Sequence, residues 1–529
     1  MFGEKNRFII VVSRRPLCYN TRAMKAEDRN TAKELYKDLR RRPWQQLWTQ
    51  EVPRFNAAPA AERAKLAPVI RAVAVVFAES GPAAEAQNVR QWLLGLLQDP
   101  SEKVRRYAVA AMPKIGAGAA EEQKLLSALQ TAAGEREKKF LSRTLGRIGG
   151  PATLEHGLAG EVEQKVKAGI ARRQSPSAIR IDAVFPNSPQ LLIHLRGRNG
   201  LEQFVADELK QSKQNAKFDL AGTQPGKVAI VPKAPFSIAD IYAMRCFGAA
   251  AFVLGSVETA GESDSVESLA AVITSDLSLK LLRALTAGAI RYRINFVDRG
   301  HQRAAVARLA NRIYAKCPEI LNDARDVTWT FDIYTHARRQ WVELRPNMTP
   351  DPRFSYRKRD VPAASHPPLA ASLARLAGRF ENEVIWDPFC GSGLELIESA
   401  LLGRVRSIYG TDLSAAAIEI AQSNFAAAKL ESVPAKFICG DFRKIALAGP
   451  QPTLIITNPP MGMRVQIASL RQLIADLFTV AAKILKPGGR LVFVNPLSNP
   501  PPHPQLKLQF QHKVDMGGFE CRMEKYLRV

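Results

Sequence analysis

Cysteine is scarce in this chain. Six occur in 529 residues, at positions 18, 246, 317, 390, 439 and 521, and no two form a CxxC pair. That spacing excludes a zinc ribbon and a dense disulfide framework. Reduced thiols in a cytoplasmic setting, with no metal site, are expected instead. Long apolar runs are missing too. The longest early one, Phe8-Ile9-Ile10-Val11-Val12, is too short for a membrane span or a signal-peptide core. Acids are in deficit: 50 Asp and Glu face 75 Lys and Arg, a formal net charge of +25. So basic a chain favours a polyanionic partner, RNA or DNA first. A hydrophobic content of 46% excludes a disordered chain and allows a large core.

This length implies several domains. Residues 1–50 hold 12 Lys and Arg against 5 acids, and residues 1–60 read as a basic extension. Arg40-Arg41-Arg42 can contact phosphate or line a solvated helix face. From 61 to 172 the chain is rich in Ala and Leu. Val104, Tyr107, Ala108, Ala111, Met112 and Ile115 mark one helix face, with Asp99-Pro100-Ser101 as stop and N-cap. Tyr107, Met112, Ile115 and Gly116 recur as Phe140, Leu145, Ile148 and Gly149, an offset of 33. Stacked helix pairs leave such a period, and Asp99–Arg105 resembles a HEAT repeat. The expected role is a surface for a protein partner.

Arg172-Arg173-Gln174-Ser175-Pro176 reads as a linker. Beyond it, residues 178–345 alternate strands with helices in an α+β pattern. Strands are predicted at 191–195, 228–231, 290–296, 327–334 and 339–344, and helices at 201–209 and 303–315. Phe296-Val297-Asp298-Arg299-Gly300-His301-Gln302-Arg303 is a strand-to-helix junction. There Arg299, His301 and Arg303 either meet a phosphate or are plain loop residues.

The chemistry is concentrated after residue 346. Val384-Ile385-Trp386-Asp387-Pro388-Phe389-Cys390-Gly391-Ser392-Gly393 is a buried strand running into an acid and a glycine turn, with a helix after it. Glycines admit close backbone approach, and a helix N-terminus offers free N–H groups. No Gly-Lys-Ser/Thr follows, which disfavours phosphate cradling. An acid at the strand end suits a ligand bearing an ammonium group, such as the methionine moiety of S-adenosylmethionine. A second strand ends in Asp412, 25 residues later, placed to accept ribose hydroxyls, with Leu413 beside it. A third ends in Asp441, suited to an adenine amino group, with Phe442 available to flank the ring. A fourth delivers Asn458-Pro459-Pro460-Met461-Gly462. The turn Lys486-Pro487-Gly488-Gly489, a fifth strand at 490–495 and a closing strand pair complete a Rossmann-like α/β pattern with a seven-stranded sheet.

In order and spacing, residues 387–462 resemble the class I S-adenosylmethionine-dependent methyltransferases. Asp387–Gly393 together with Asn458-Pro459-Pro460 is similar to the RNA methylases that modify the exocyclic amine of guanine. That family carries a THUMP domain ahead of the catalytic one, and residues 290–345 are similar to it. Arg353–Arg359 and Pro362–Leu376 resemble the family's lead-in to the first strand, and Arg464 is family-like. The resemblance implies S-adenosylmethionine as cofactor and tRNA or rRNA as partner. It places Asp387, Pro388, Phe389, Cys390, Gly391, Ser392, Gly393, Asp412, Leu413, Asp441 and Phe442 around the cofactor. The Asn458 side-chain carbonyl and the Pro459 main-chain carbonyl would accept the amine's two hydrogens, with Pro460 stiffening the turn. Where the family has an aromatic to stack on the base, this chain has Met461. Arg357 and Arg464 join Arg299, His301 and Arg303 as expected RNA contacts. Two alternatives stay open: another acceptor (adenine N6 or protein glutamine), or a non-catalytic RNA-binding scaffold.

Overall fold

The computed structural model describes residues 32–529, except 117, 159, 187, 189, 259–261, 298, 301, 363, 379–380, 462–468 and 501. The Phe8–Val12 run, Cys18, His301 and Arg464 lie outside the described residues. The chain forms two compact units that divide between Ser175 and Pro176. Among the described residues no helix is long and apolar enough to cross a membrane.

The first unit is helical. Its larger helices are Pro68–Ser80, Ala86–Gly95, Glu102–Ala111, Ala119–Thr131, Glu135–Ile148 and Gly160–Gln174. Val104, Ala108, Ala111 and Met112 are buried at the three-and-four spacing read from the sequence. The helix they lie on ends at Ala111, however, and Met112–Lys114 tightens into a 3-10 turn. Ser101 occupies the N-cap without a side-chain cap bond. Asp99 shapes the turn before the helix, accepting the Ser101 N–H at 2.8 Å and pairing with Arg63 at 2.7 Å. Two further corrections apply. Gly116 is left-handed at φ +73°, whereas its counterpart Gly149 caps a helix at φ −60°, so the 33-residue offset does not repeat the backbone. Arg172–Gln174, read as linker, is the last turn of helix Gly160–Gln174, because charged residues are as compatible with a helix as with a linker. Arg40 pairs with Glu79, and Arg42 with Asp38 and Glu51, so these guanidinium groups serve the unit's own acids.

The second unit holds two large sheets and a small two-stranded one, Ser177–Ile179 with Thr286–Gly288. From edge to edge, the eight-stranded sheet runs Phe218–Gln224, Lys227–Pro232, Ile193–Arg196, Ala249–Glu258, Arg339–Pro346, Trp329–His336, Ile290–Phe296 and Ile320–Asn322. Only the pairings on either side of Ile290–Phe296 are parallel. In that strand Ile290, Tyr292 and Ile294 are buried while Arg293 and Asn295 are exposed, the period-two pattern being broken only by the fully buried Arg291. Helix Arg303–Lys316 buries Leu309, Ala310 and Ile313.

The seven-stranded sheet comprises β1 (Glu383–Asp387), β2 (Val405–Asp412), β3 (Ala435–Cys439), β4 (Leu454–Thr457), β5 (Arg490–Asn495), β6 (Leu506–Asp515) and β7 (Glu520–Arg528). Its helices include α1 (Leu394–Leu402), α2 (Ala415–Ala427) and α3 (Leu470–Ile484). The strand order is β3-β2-β1-β4-β5-β7-β6, with β7 antiparallel to both neighbours and the rest parallel. Residues of β1, β4 and β5 are buried throughout, as parallel strands covered on both faces require. In such a sheet the order reverses between β1 and β4, and ligands bind beyond the carboxyl ends there.

A buried arginine anchors the segment that connects the two sheets to residues 244–248. Arg353 donates to the carbonyls of Met244 (3.2 Å), Phe247 (2.9 Å) and Gly248 (3.0 Å) and pairs with Asp351 at 2.6 Å. Nearby, Arg245 pairs with Glu398 of α1 at 2.7 Å, and Arg375 with Glu208 at 2.6 Å. The seven-stranded sheet is therefore fixed against its neighbour by charge-assisted bonds.

Candidate active site

β1 carries Val384, Ile385 and Trp386 through the core and stops at Asp387-Pro388. The turn beyond needs glycine: Gly391 and Gly393 hold φ +50° and +84°. A Cβ on Gly393 would also meet Ala421 of α2 at 3.4 Å. The turn is pinned from two sides. Cys390 N donates to Thr411 O (2.9 Å) and Gly391 N to Asp412 Oδ2 (3.0 Å). Asn424, fully buried on α2, donates to Ser392 O and Arg359 O (3.0 Å each) and accepts from Lys358 N (2.9 Å) and Arg359 N (3.1 Å).

Asp387 is wholly buried. Its Oδ1 accepts from the Thr457 hydroxyl at 2.5 Å and from Phe389 N at 3.0 Å, while Oδ2 is buried with no hydrogen-bond partner. Burial, and then the nearby Glu395 carboxyl, push its pKa well above the ordinary carboxylate value. Burial raises Glu395 as well. Burial pushes the Cys390 thiol up, and Asp387, Asp412 and Glu395 add to the shift. Several acids thus converge on one glycine turn, and a cation there would relieve their mutual repulsion and engage Oδ2.

Asp412, half-buried, is oriented by Gly391 N on one oxygen and Ser414 N (2.9 Å) on the other. Each oxygen keeps a second lone pair for a pair of ribose hydroxyls. Leu413 beside it is 74% exposed, an apolar face open to a ligand ring. Asp441 is gripped by Arg443 through both oxygens (2.9 and 2.7 Å), which lowers its pKa. Arg443 is shared with Asp476 at 3.1 Å. The Phe442 ring is buried in a T-shaped contact with Phe389 at 4.8 Å.

At the end of β4, Asn458 Nδ2 donates to Ser365 Oγ at 2.8 Å, and Oδ1 is buried without a partner. Pro459 and Pro460 restrict φ on its far side. Met461 is half-buried, its Sδ 3.8 Å from the Cys521 thiol of β7. Two acceptor atoms, Asp387 Oδ2 and Asn458 Oδ1, therefore stand unsatisfied on adjacent strand ends, where a buried acceptor costs about 1–3 kcal/mol unless a donor arrives.

Of the expected RNA contacts, Arg299, Arg303 and Arg357 fall among the described residues. Arg299 and Arg303 are exposed at the junction after strand Ile290–Phe296, in the eight-stranded part. Arg357 is paired with Asp360. Thr457, Ser365, Glu395 and Asn424 were missed by sequence reasoning. Only Thr457 carried a signal, a polar residue closing an apolar strand as Asp387 does.

Residues 355–500 match the RMKL-like methyltransferase domain. This span contains Asp387, Asp412, Asp441 and Asn458 with their supports. Two curated relatives come from Methanocaldococcus jannaschii. One is a tRNA (guanine(6)-N2)-methyltransferase, 26% identical, with the match covering 26% of this chain and 46% of the relative. The other is a tRNA (guanine(10)-N2)-dimethyltransferase, also 26% identical, covering 26% of this chain and 40% of the relative. The chain thus spans under half the length of either. Among solved structures, TrmN from Thermus thermophilus aligns at a TM-score of 0.50 and 19% identity, over 64% of this chain and all of that one, which supports the fold.

Proposed function

We propose that this chain is an S-adenosylmethionine-dependent RNA methyltransferase acting on guanine N2 in tRNA or rRNA. The observation that carries the reading is the unsatisfied Oδ1 of Asn458, held at a strand end one strand away from the equally unsatisfied Oδ2 of Asp387. The methyltransferase match over 355–500 and the guanine-N2 enzymes among its relatives support it. Residues 290–345 act as a THUMP-like RNA module and 61–172 as a HEAT-like surface for a protein partner. The net charge of +25 draws in RNA, and the setting is cytoplasmic.

The cofactor, when bound, supplies an electrophilic methyl on a sulfonium. Asp387 Oδ2 holds its ammonium, Asp412 its ribose hydroxyls, and Leu413 covers its ring. Guanine N2 is a weak nucleophile because its lone pair is delocalised. With one N–H on Asn458 Oδ1 and the other on the Pro459 carbonyl, the nitrogen is drawn towards tetrahedral geometry with its lone pair aimed in line. The chain's own part would be to hold N2 through these two hydrogens, one of which would be released to water once the methyl group had been supplied. Met461 gives the base a thioether face in place of a ring.

The test is methyl transfer by the full chain to total tRNA and rRNA, with nucleosides identified by mass spectrometry. N2-methylguanosine is expected. Asn458→Ala should abolish it while leaving cofactor affinity within about twofold, the pattern of a group used only in the transition state. N6-methyladenosine would replace the acceptor, and absence of cofactor binding would overturn the reading.

A further inference from the structure

The buried carboxyl of Glu395 has so far no task. It lies on the first turn of α1, 3% exposed, and accepts the Ser365 hydroxyl proton. Ser365 Oγ in turn accepts from Asn458 Nδ2 at 2.8 Å. Together these three side chains, from α1, the segment before Pro367 and the end of β4, make one directed chain of hydrogen bonds.

The direction has a chemical cause. A serine hydroxyl carries a single proton. With that proton given to Glu395, the Ser365 oxygen offers Asn458 only lone pairs. The amide must then turn its NH2 inward, which leaves Oδ1 facing the site, where it is buried and unpaired. The opposite orientation would set the amide oxygen against the serine lone pairs and present N–H donors to an incoming amine. Donation by Nδ2 also polarises the amide and strengthens Oδ1 as an acceptor.

We infer that Glu395 and Ser365 are positioning residues: they lock the Asn458 amide with its carbonyl towards the substrate amine. This rests on the proposed role of Asn458 as acceptor. Neither residue touches substrate; each acts through Asn458.

The experiment uses the full chain and two readouts. Asparagine is labelled with 15N, and the Asn458 side-chain amide is assigned by its loss in Asn458→Ala. Its protons should exchange slowly with solvent in wild type and rapidly in Ser365→Ala and Glu395→Leu. In single turnover those variants should lose about 10–100-fold in rate, the cost of a misaimed group, with cofactor Kd and RNA KM unchanged. Ser365→Thr, which keeps the hydroxyl, should recover most of the rate, and Glu395→Gln, which keeps an accepting carbonyl oxygen, part of it. Unchanged exchange in Ser365→Ala, or a rate equal to wild type, would overturn the inference. A wild-type chain that methylates no RNA, yet shows Asn458 protection lost in Ser365→Ala, would overturn the RNA reading and support the relay.

Discussion

Thr457 donates its hydroxyl to Asp387 Oδ1 at 2.5 Å, and that bond ties the strand carrying Asn458 to the strand carrying the buried acid. The two strands are already paired in the sheet, and this hydroxyl adds a side-chain bond between the half suited to a cationic ligand and the half suited to an acceptor amine. Thr457→Val keeps shape and burial but strands Oδ1 on the Phe389 N–H alone. A loss of about 1–3 kcal/mol in unfolding free energy is expected, the cost of stripping a bond from a buried carboxyl. Both cofactor affinity and turnover should fall. A denaturant titration beside calorimetry checks this, and a variant with unaltered affinity would show that the bond does not couple the two halves.

The raised pKa of Asp387 predicts a pH dependence of definite sign. Burial, then Glu395, keep the acid protonated to a higher pH than in the unfolded chain. The folded apo state therefore binds the extra proton, and stability from this group is lost as pH rises through the raised value. A bound cation reverses the preference and favours the carboxylate. Cofactor binding should then release protons and tighten as pH climbs through that window while the ligand's ammonium stays charged. Calorimetry in two buffers of different ionisation enthalpy measures the release, and Asp387→Asn should abolish it.

Asn424 spends its whole amide on the frame of the site, two donated and two accepted bonds, from a fully buried position on α2. Asn424→Ala removes all four and leaves four backbone groups, of Lys358, Arg359 and Ser392, without that partner. The expected cost is about 2–4 kcal/mol, several buried partners at once. Cofactor affinity should drop with it, since Ser392 O loses its tether. Asn424→Asp should be nearly as harmful, because a carboxylate cannot donate to Ser392 O and Arg359 O. Hydrogen exchange at Cys390–Gly393 reports the loosening directly.

Some of this was written openly in the chain. An apolar run ending in an acid announces a parallel strand and its ligand end together, so β1 to β5 and the positions of Asp387, Asp412, Asp441 and Asn458 were legible. The eight-stranded sheet was legible only in pieces. Ala249–Glu258 begins with three alanines, poor strand formers, and its register with Arg339–Pro346 is set by tertiary pairing no local pattern records. The Glu395–Ser365–Asn458 chain joins residues 93 positions apart at its longer step, with no spacing rule behind it.

The arginine at the seam of the two sheets offers the sharpest stability test. Arg353 has a side chain 1% exposed, and it satisfies three carbonyls of the 244–248 segment while Asp351 balances its charge. Its guanidinium also lies 4.1 Å from the Phe247 ring and 4.8 Å from that of Tyr242. A planar five-donor fork can serve these partners together, and an ammonium cannot. Arg353→Lys keeps the charge yet should cost about 3–5 kcal/mol, the range for breaking a buried charged network. Asp351→Asn, which keeps an acceptor, should cost less. Ser365 lies twelve positions after Arg353 in the chain, so slack at the seam should also reach the active site. Turnover should fall further than cofactor affinity in Arg353→Lys at temperatures where the fold is intact. A urea midpoint within experimental scatter of wild type would mean that the carbonyls find other donors and that the seam does not depend on this side chain.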